Sequence, residues 1–152
     1  MPLPEPTPGL VISYAYLWWD QARRGQEEGI KDRPCVVVLA VRQKEGERIV
    51  TVAPISHAPP RDPKDGVELP PETKRRLGLD DQRSWIITSE LNRFAWPGPD
   101  LRPISQSRPG EFAYGGIPRK LMQRLIERIS EQDRERQLKT VRRDDGEGQT
   151  RQ

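Results

Sequence analysis

Proline recurs so often up to residue 118 that long helices have little room to form in that part of the chain. Sixteen of the 152 residues are proline and twelve are glycine. Proline interrupts a helix and cannot sit in a central strand, because it lacks an N–H and fixes φ. The two residue types together predict many turns, and they argue against a helical bundle. The length suits one domain with one modest core. That core must be small, since hydrophobic residues make up only 33% of the chain and charged ones 32%.

No window has the apolar length of a membrane span. The opening MPLPEPTPG carries neither the basic nor the apolar region of a signal peptide. The expectation is a cytoplasmic protein without membrane contact. A single cysteine, Cys35, cannot form an internal disulfide, which agrees with a reducing compartment.

The net charge of +3 is unevenly spread. Between Arg119 and Arg143 there are nine Lys/Arg against four Asp/Glu, whereas residues 1–118 hold sixteen of each sign. The basic excess therefore belongs to the C-terminal end. It reads either as a solvated face or as a weak pointer to nucleic acid.

Three segments are expected: a proline-rich disordered arm (1–8), a domain (9–138) and a disordered charged tail (139–152). Leu10 to Trp19 is rich in β-branched and aromatic residues and reads as a first strand, followed by a polar loop from Asp20 to Lys31. Cys35 to Arg42 is an apolar run of strand length, expected to be buried on both faces. Gly46 turns it into Arg48 to Ile55, making a hairpin. A short strand around Val67 to Leu69, a helix over Pro71 to Leu79 and a strand over Ser84 to Glu90 follow. Asn92 to Pro109 reads as irregular, and Phe112 to Ile117 as a last short strand. Pro118 then opens the clearest element, a helix with Leu121, Met122, Leu125, Ile126 and Ile129 on one face. Past Ser130 the apolar stripe stops, so the final turns are expected in solvent. The fold class is mainly β with some α: a small, partly open barrel with a short helical insertion and a C-terminal helix.

No glycine-rich phosphate loop is present, and one His with one Cys argue against a zinc site, so neither metal nor cofactor is expected. A Cys–His nucleophile pair is formally possible, but Cys35 opens an apolar strand and reads first as a buried structural thiol. The remaining candidates are polar residues at strand ends: Arg33, Ser56, His57 and Glu90. If the strands pair as read, a guanidinium, a hydroxyl, an imidazole and a carboxylate gather at one end of the barrel. Such a set can position a phosphodiester and take a proton from a ribose 2′-OH. By spacing alone, four polar residues at strand ends are more often turn formers and surface pairs.

The order and spacing of several short motifs resemble the MazF/PemK/Kid family of type II toxin–antitoxin endoribonuclease toxins over roughly Gly9 to Ile129. The opening Gly9-Leu10-Val11-Ile12-Ser13-Tyr14 is one such motif, and Arg33-Pro34 before Cys35-Val36-Val37-Val38-Leu39 is another. The strand ending Pro54-Ile55-Ser56-His57 follows. Gly78-Leu79-Asp80 and the Trp-Pro-Gly segment look like the PemK-like branch. The resemblance implies an SH3-like barrel and a homodimer that cuts single-stranded RNA without metal. Its products would be 2′,3′-cyclic phosphate and 5′-OH ends, and a cognate antitoxin would lie across the groove.

By the same resemblance, Arg33 matches the catalytic arginine, and Ser56 replaces a threonine while keeping its hydroxyl. Glu90 falls near a carboxylate that serves some members as general base. Glu28 lies where a functional glutamate occurs in the first loop. Thr88 stands where some members carry a second arginine. His57 reads either as a turn residue or as an alternative base. Asn92 and Trp96 complete the substrate-binding candidates, with Trp96 expected to be exposed and able to stack a base. Trp18 and Trp19 read as core and dimer packing. The alternative is a non-catalytic barrel of the same fold that binds RNA or a partner peptide; a gyrase-directed toxin is a third possibility.

Overall fold

In the computed structural model of the protein, residues 3–29, 31–135 and 137–143 are described. Eight strands form a single branched sheet. In chain order they are β1 (Leu10–Tyr14), β2 (Arg33–Arg42), β3 (Arg48–Ser56), β4 (Gly66–Glu68), β5 (Trp85–Ile87), β6 (Glu90–Ala95), β7 (Ala113–Gly116) and β8 (Lys139–Arg142). Three α-helices are interspersed: α1 (Trp19–Arg23), α2 (Pro71–Leu77) and α3 (Arg119–Arg134). The sheet runs β4-β5-β3-β2-β1-β7, with β6 also on β3 and β8 on β6. Every pairing is antiparallel except β6 with β8. The end strands β4 and β7 do not pair with each other among the described residues, so the sheet is mainly β as expected but not closed. Among the described residues no helix is long and apolar enough to cross a membrane.

The hairpin of β2 and β3 is the spine, and its turn depends on Gly46 at φ 89°. An L side chain is strained there, whereas glycine is not. Successive residues of a strand point to opposite faces, and β2 uses this to feed two cores. Val36 and Val38 enter one with Val11, Ala53, Leu121 and Leu125, while Cys35 and Val37 enter the other with Tyr14, Val50, Phe94 and Trp96. Burial on both faces therefore holds for Cys35 to Val38 but ends there, since Leu39 and Val41 are exposed.

Pro54 sits inside β3, where a proline would break a continuous ladder. The strand tolerates it because its outer partner changes there. Ile49 to Val52 pair with β6, whereas Ile55 and Ser56 pair with β5. The missing N–H falls in the gap between the two partners, and the same gap brings the end of β3 against β5.

The helices follow their punctuation. Pro71 opens α2, and Gly78 closes it in the left-handed region at φ 76°. Pro118 caps α3, whose Leu121 and Leu125 are buried. Burying each such side chain is worth about 1.5–3 kcal/mol. Ile126, expected on that face, is 41% exposed. The last turns do not all project into solvent: Gln132 is buried and its Nε2 donates to Lys64 O at 3.2 Å and to Asp65 Oδ1 at 2.7 Å.

Several boundaries differ from the sequence reading. The first strand ends at Tyr14 rather than Trp19; Trp19 opens α1, whose remaining residues fall in the segment expected to be a loop. The expected strand from Ser84 to Glu90 is two strands, and Glu90 begins β6 rather than ending β5. Asn92 is consequently in a strand, not in irregular chain. The tail expected to be disordered from Lys139 supplies β8 and the buried Arg143. Residues 144–152 lie outside the described part. At the other end Pro6 is buried and Glu5 pairs with Arg48 at 2.5 Å, so the proline-rich arm is fixed to the body at these two residues; Met1 and Pro2 lie outside the described part.

Candidate functional site

Arg33, Ser56 and His57 line one hollow of about 130 Å³, together with Ile55, Lys74 and Asp80. Strand pairing explains the gathering. Arg33 opens β2 and Ser56 closes β3, its antiparallel neighbour, so the two ends lie side by side. Arg33 Nη1 donates to Ile55 O at 3.3 Å, and its guanidinium stacks 5.0 Å from the Trp18 ring centroid. Its Nε is buried with no hydrogen-bond partner among the described residues. The arginine is thus held flat between β3 and an aromatic face. Ser56 Oγ accepts from Ala58 N at 3.0 Å, which tightens the turn leading into His57.

His57 is half exposed, and its Nε2 lies 2.8 Å from Asp80 Oδ2. An ionised carboxylate can only accept, so Nε2 carries a hydrogen, and in the neutral ring Nδ1 is then the acceptor. Asp80 reaches this position because α2 stops at Gly78. Two residues later the Asp80 side chain takes Gln82 N at 3.1 Å in a turn of the kind Asp favours. Its other oxygen contact comes from below: Lys74, buried on α2, donates to Asp80 Oδ1 at 2.8 Å. Lys74 also donates to Ser84 Oγ at 2.8 Å and to Gln82 O. The hydrogen bond from Lys74, ahead of those from Gln82 N and His57, holds the Asp80 carboxyl below the usual carboxylate range.

Glu90, the fourth strand-end candidate, is placed elsewhere. It lines a separate hollow of about 440 Å³ with Trp19, Asp20, Asp65, Gln132 and Lys139. Because it begins β6 rather than ending β5, it projects toward α1, not toward the end of β3. Its Oε1 accepts from Trp19 N at 2.9 Å and from Tyr16 OH at 3.1 Å. Burial raises its carboxyl pKa despite those two donors.

The substrate-binding candidates do not line the hollow of Arg33. Thr88 is fully buried, with its N–H on Asp65 O at 2.8 Å. Asn92 is fully buried too, and its amide brackets the backbone of Leu17, accepting from N at 2.9 Å and donating to O at 2.8 Å. Trp96, expected in solvent, is only 8% exposed and packs in the core beside Phe94 at 6.1 Å. Glu28 is exposed in the loop after α1, where its carbonyl accepts from Gln26 Nε2 at 2.6 Å. Cys35 is fully buried, as expected for a structural thiol, and burial drives its pKa far up, away from the thiolate that a nucleophile needs.

Sequence reading overlooked Lys74 and Ser84, and it noted Asp80 only within a triplet. The usable signal was the helix stop at Gly78 followed by Asp80, which announces a turn with a free carboxylate oxygen. The comparisons with known proteins add nothing to this geometry: no family model, curated protein or solved structure matches the chain.

Proposed function

We propose that this chain is a metal-independent endoribonuclease, the toxin half of a type II toxin–antitoxin pair, built on an SH3-like, partly open barrel. Two things support the reading: the ordered motifs that resemble the MazF/PemK/Kid family, and the meeting of Arg33, Ser56 and His57 in one hollow. The second carries it, because a phosphodiester seated there would find a fixed cation, a hydroxyl and a base together. His57 Nδ1 takes the proton of a ribose 2′-OH as the 2′ oxygen attacks phosphorus. The guanidinium of Arg33 stabilises the added negative charge. The bond from phosphorus to the 5′ oxygen then breaks, and that oxygen takes a proton from solvent. The products are a 2′,3′-cyclic phosphate and a 5′-OH.

In this reading the base is His57 rather than Glu90, since Glu90 is committed to Tyr16 and Trp19 in another hollow. The protein would act in the cytoplasm as a homodimer on single-stranded RNA and be neutralised by a cognate antitoxin. Purified protein incubated with single-stranded RNA in EDTA should leave cyclic-phosphate ends. Arg33→Ala and His57→Ala should each lower cleavage by about 10²-fold or more. Equal cleavage by the parent and both variants would sink the proposal. RNA or peptide binding with no cleavage would select a non-catalytic barrel instead.

A further inference from the structure

An ammonium has three N–H donors, and Lys74 uses all of them: on Asp80 Oδ1 at 2.8 Å, on Ser84 Oγ at 2.8 Å and on Gln82 O. Its side chain is 6% exposed, so no donor is left to meet a substrate. A buried lysine that only closed a turn would need the carbonyl and the hydroxyl. Lys74 also takes a carboxylate, and that carboxylate is the one that holds the only histidine of the chain. One oxygen of Asp80 faces the ammonium and the other faces the imidazole.

We propose that Lys74 is a positioning residue for His57, acting through Asp80: it anchors the carboxylate that orients the ring, and it shares that carboxylate's charge with the imidazole. The proposal rests on the reading of His57 as the base. Without Lys74, the full charge of Asp80 would fall on the ring and favour the imidazolium, which cannot accept a proton. With Lys74 in place, part of that charge is already balanced by the ammonium, and Asp80 stays fixed on Nε2. The other charged groups around the hollow are Lys31, Asp32 and Arg33.

Having a single histidine makes the test direct, because the ring signals in an NMR pH titration can only be those of His57. The measurement is made on the full chain without RNA, so it does not depend on whether the protein cuts RNA. Lys74→Met should move the titration midpoint of the ring up by about 1 pH unit, and Asp80→Asn should move it down by about as much. The double variant should match Asp80→Asn alone, because Lys74 acts through Asp80. An unchanged midpoint in a folded Lys74→Met protein would overturn the proposal. So would the same upward step when Lys74→Met is added to Asp80→Asn, since Lys74 would then act on His57 directly. If Lys74→Met fails to fold, Asp80→Asn decides: an unmoved midpoint removes the link through which Lys74 is said to act, and a lowered one supports it. Where cleavage is measurable, the acidic limb of its pH profile should move with the NMR midpoint. A moved midpoint in a protein that does not cut RNA keeps the coupling and discards only the ribonuclease reading.

Discussion

Arg143 forms an ion pair with Asp100, Nη2 to Oδ2 at 3.0 Å, from the last described residue of the chain into the loop after β6. The guanidinium side chain is 1% exposed. Its Nη1 donates to Ala15 O at 2.8 Å and to Asn92 Oδ1 at 3.0 Å, and its plane lies over Tyr14 at 5.5 Å. One side chain thus ties the segment after β1, the middle of β6 and the loop that follows it. β8, a four-residue strand, is held by its ladder to β6, by the buried Val141 and by this anchor.

Removing that anchor should be costly. Arg143→Met takes the nearer of two guanidinium groups from Asp100, the other being Arg102 at 3.9 Å, and takes one donor from Asn92, a loss of about 3 kcal/mol for breaking a buried pair. The urea midpoint measures it. Adding Asp100→Asn should recover part of the loss, because a largely buried carboxylate is then replaced by a neutral amide. A single-variant cost below about 1 kcal/mol would mean that Arg143 does not hold the C-terminus.

Glu90 gives a pH signature of opposite sense to an ordinary salt-bridged carboxylate. Its folded-state pKa is raised by burial, so its contribution to stability is fully present below the unfolded pKa and is lost as pH rises through the folded one. Glu90→Gln keeps an oxygen to accept from Trp19 N and Tyr16 OH but carries no charge. Measured by urea unfolding, Glu90→Gln should gain stability relative to the parent between mildly acidic and neutral pH. A parent that instead gains over that interval would contradict the buried carboxyl.

Cys35 should be chemically silent in the folded protein. It has no exposed surface, and its pKa is driven up by burial, so almost no thiolate is present near neutral pH. A thiol reagent should report no free sulfhydryl until denaturant is added, and then one per chain. Rapid labelling of the native protein would reopen the reading of Cys35 as a nucleophile.

Gly78 separates backbone strain from packing. A Cβ added there would meet nothing within 4 Å, yet φ is 76°, where L side chains are strained. Gly78→Ala should therefore cost about 1 kcal/mol in thermal or urea unfolding. It should also loosen Asp80, two residues on, and so broaden the ring signals of His57. A neutral or stabilising result would mean that the stop of α2 is not built on this glycine.

Local pattern carried much of the architecture. The hairpin of β2 and β3 was legible because Cys35 to Val38 is apolar at every position and Gly46 marks the turn; α3 was legible because Pro118 and the spacing of Leu121 and Leu125 act within one element. The placing of Arg33 beside Ser56 followed from the hairpin, since antiparallel neighbours bring the start of one strand to the end of the next. What the sequence left open depends on partners far away in the chain. β8 has no apolar run of its own, and only the edge of β6 and the buried contacts of Arg143 make Lys139 to Arg142 a strand. Trp96 looks solvent-facing beside two prolines, and only the second core covers it. Glu90 lies on the wrong side of a break between β5 and β6 that no residue announces, and this sends it to Tyr16 instead of Arg33. Asp80 became part of the candidate site only when α2 folded back against the end of β3. Side-chain type and spacing set which groups were present; which of them could touch was decided by long-range pairing, because a carboxylate has no local preference between one distant cation and another.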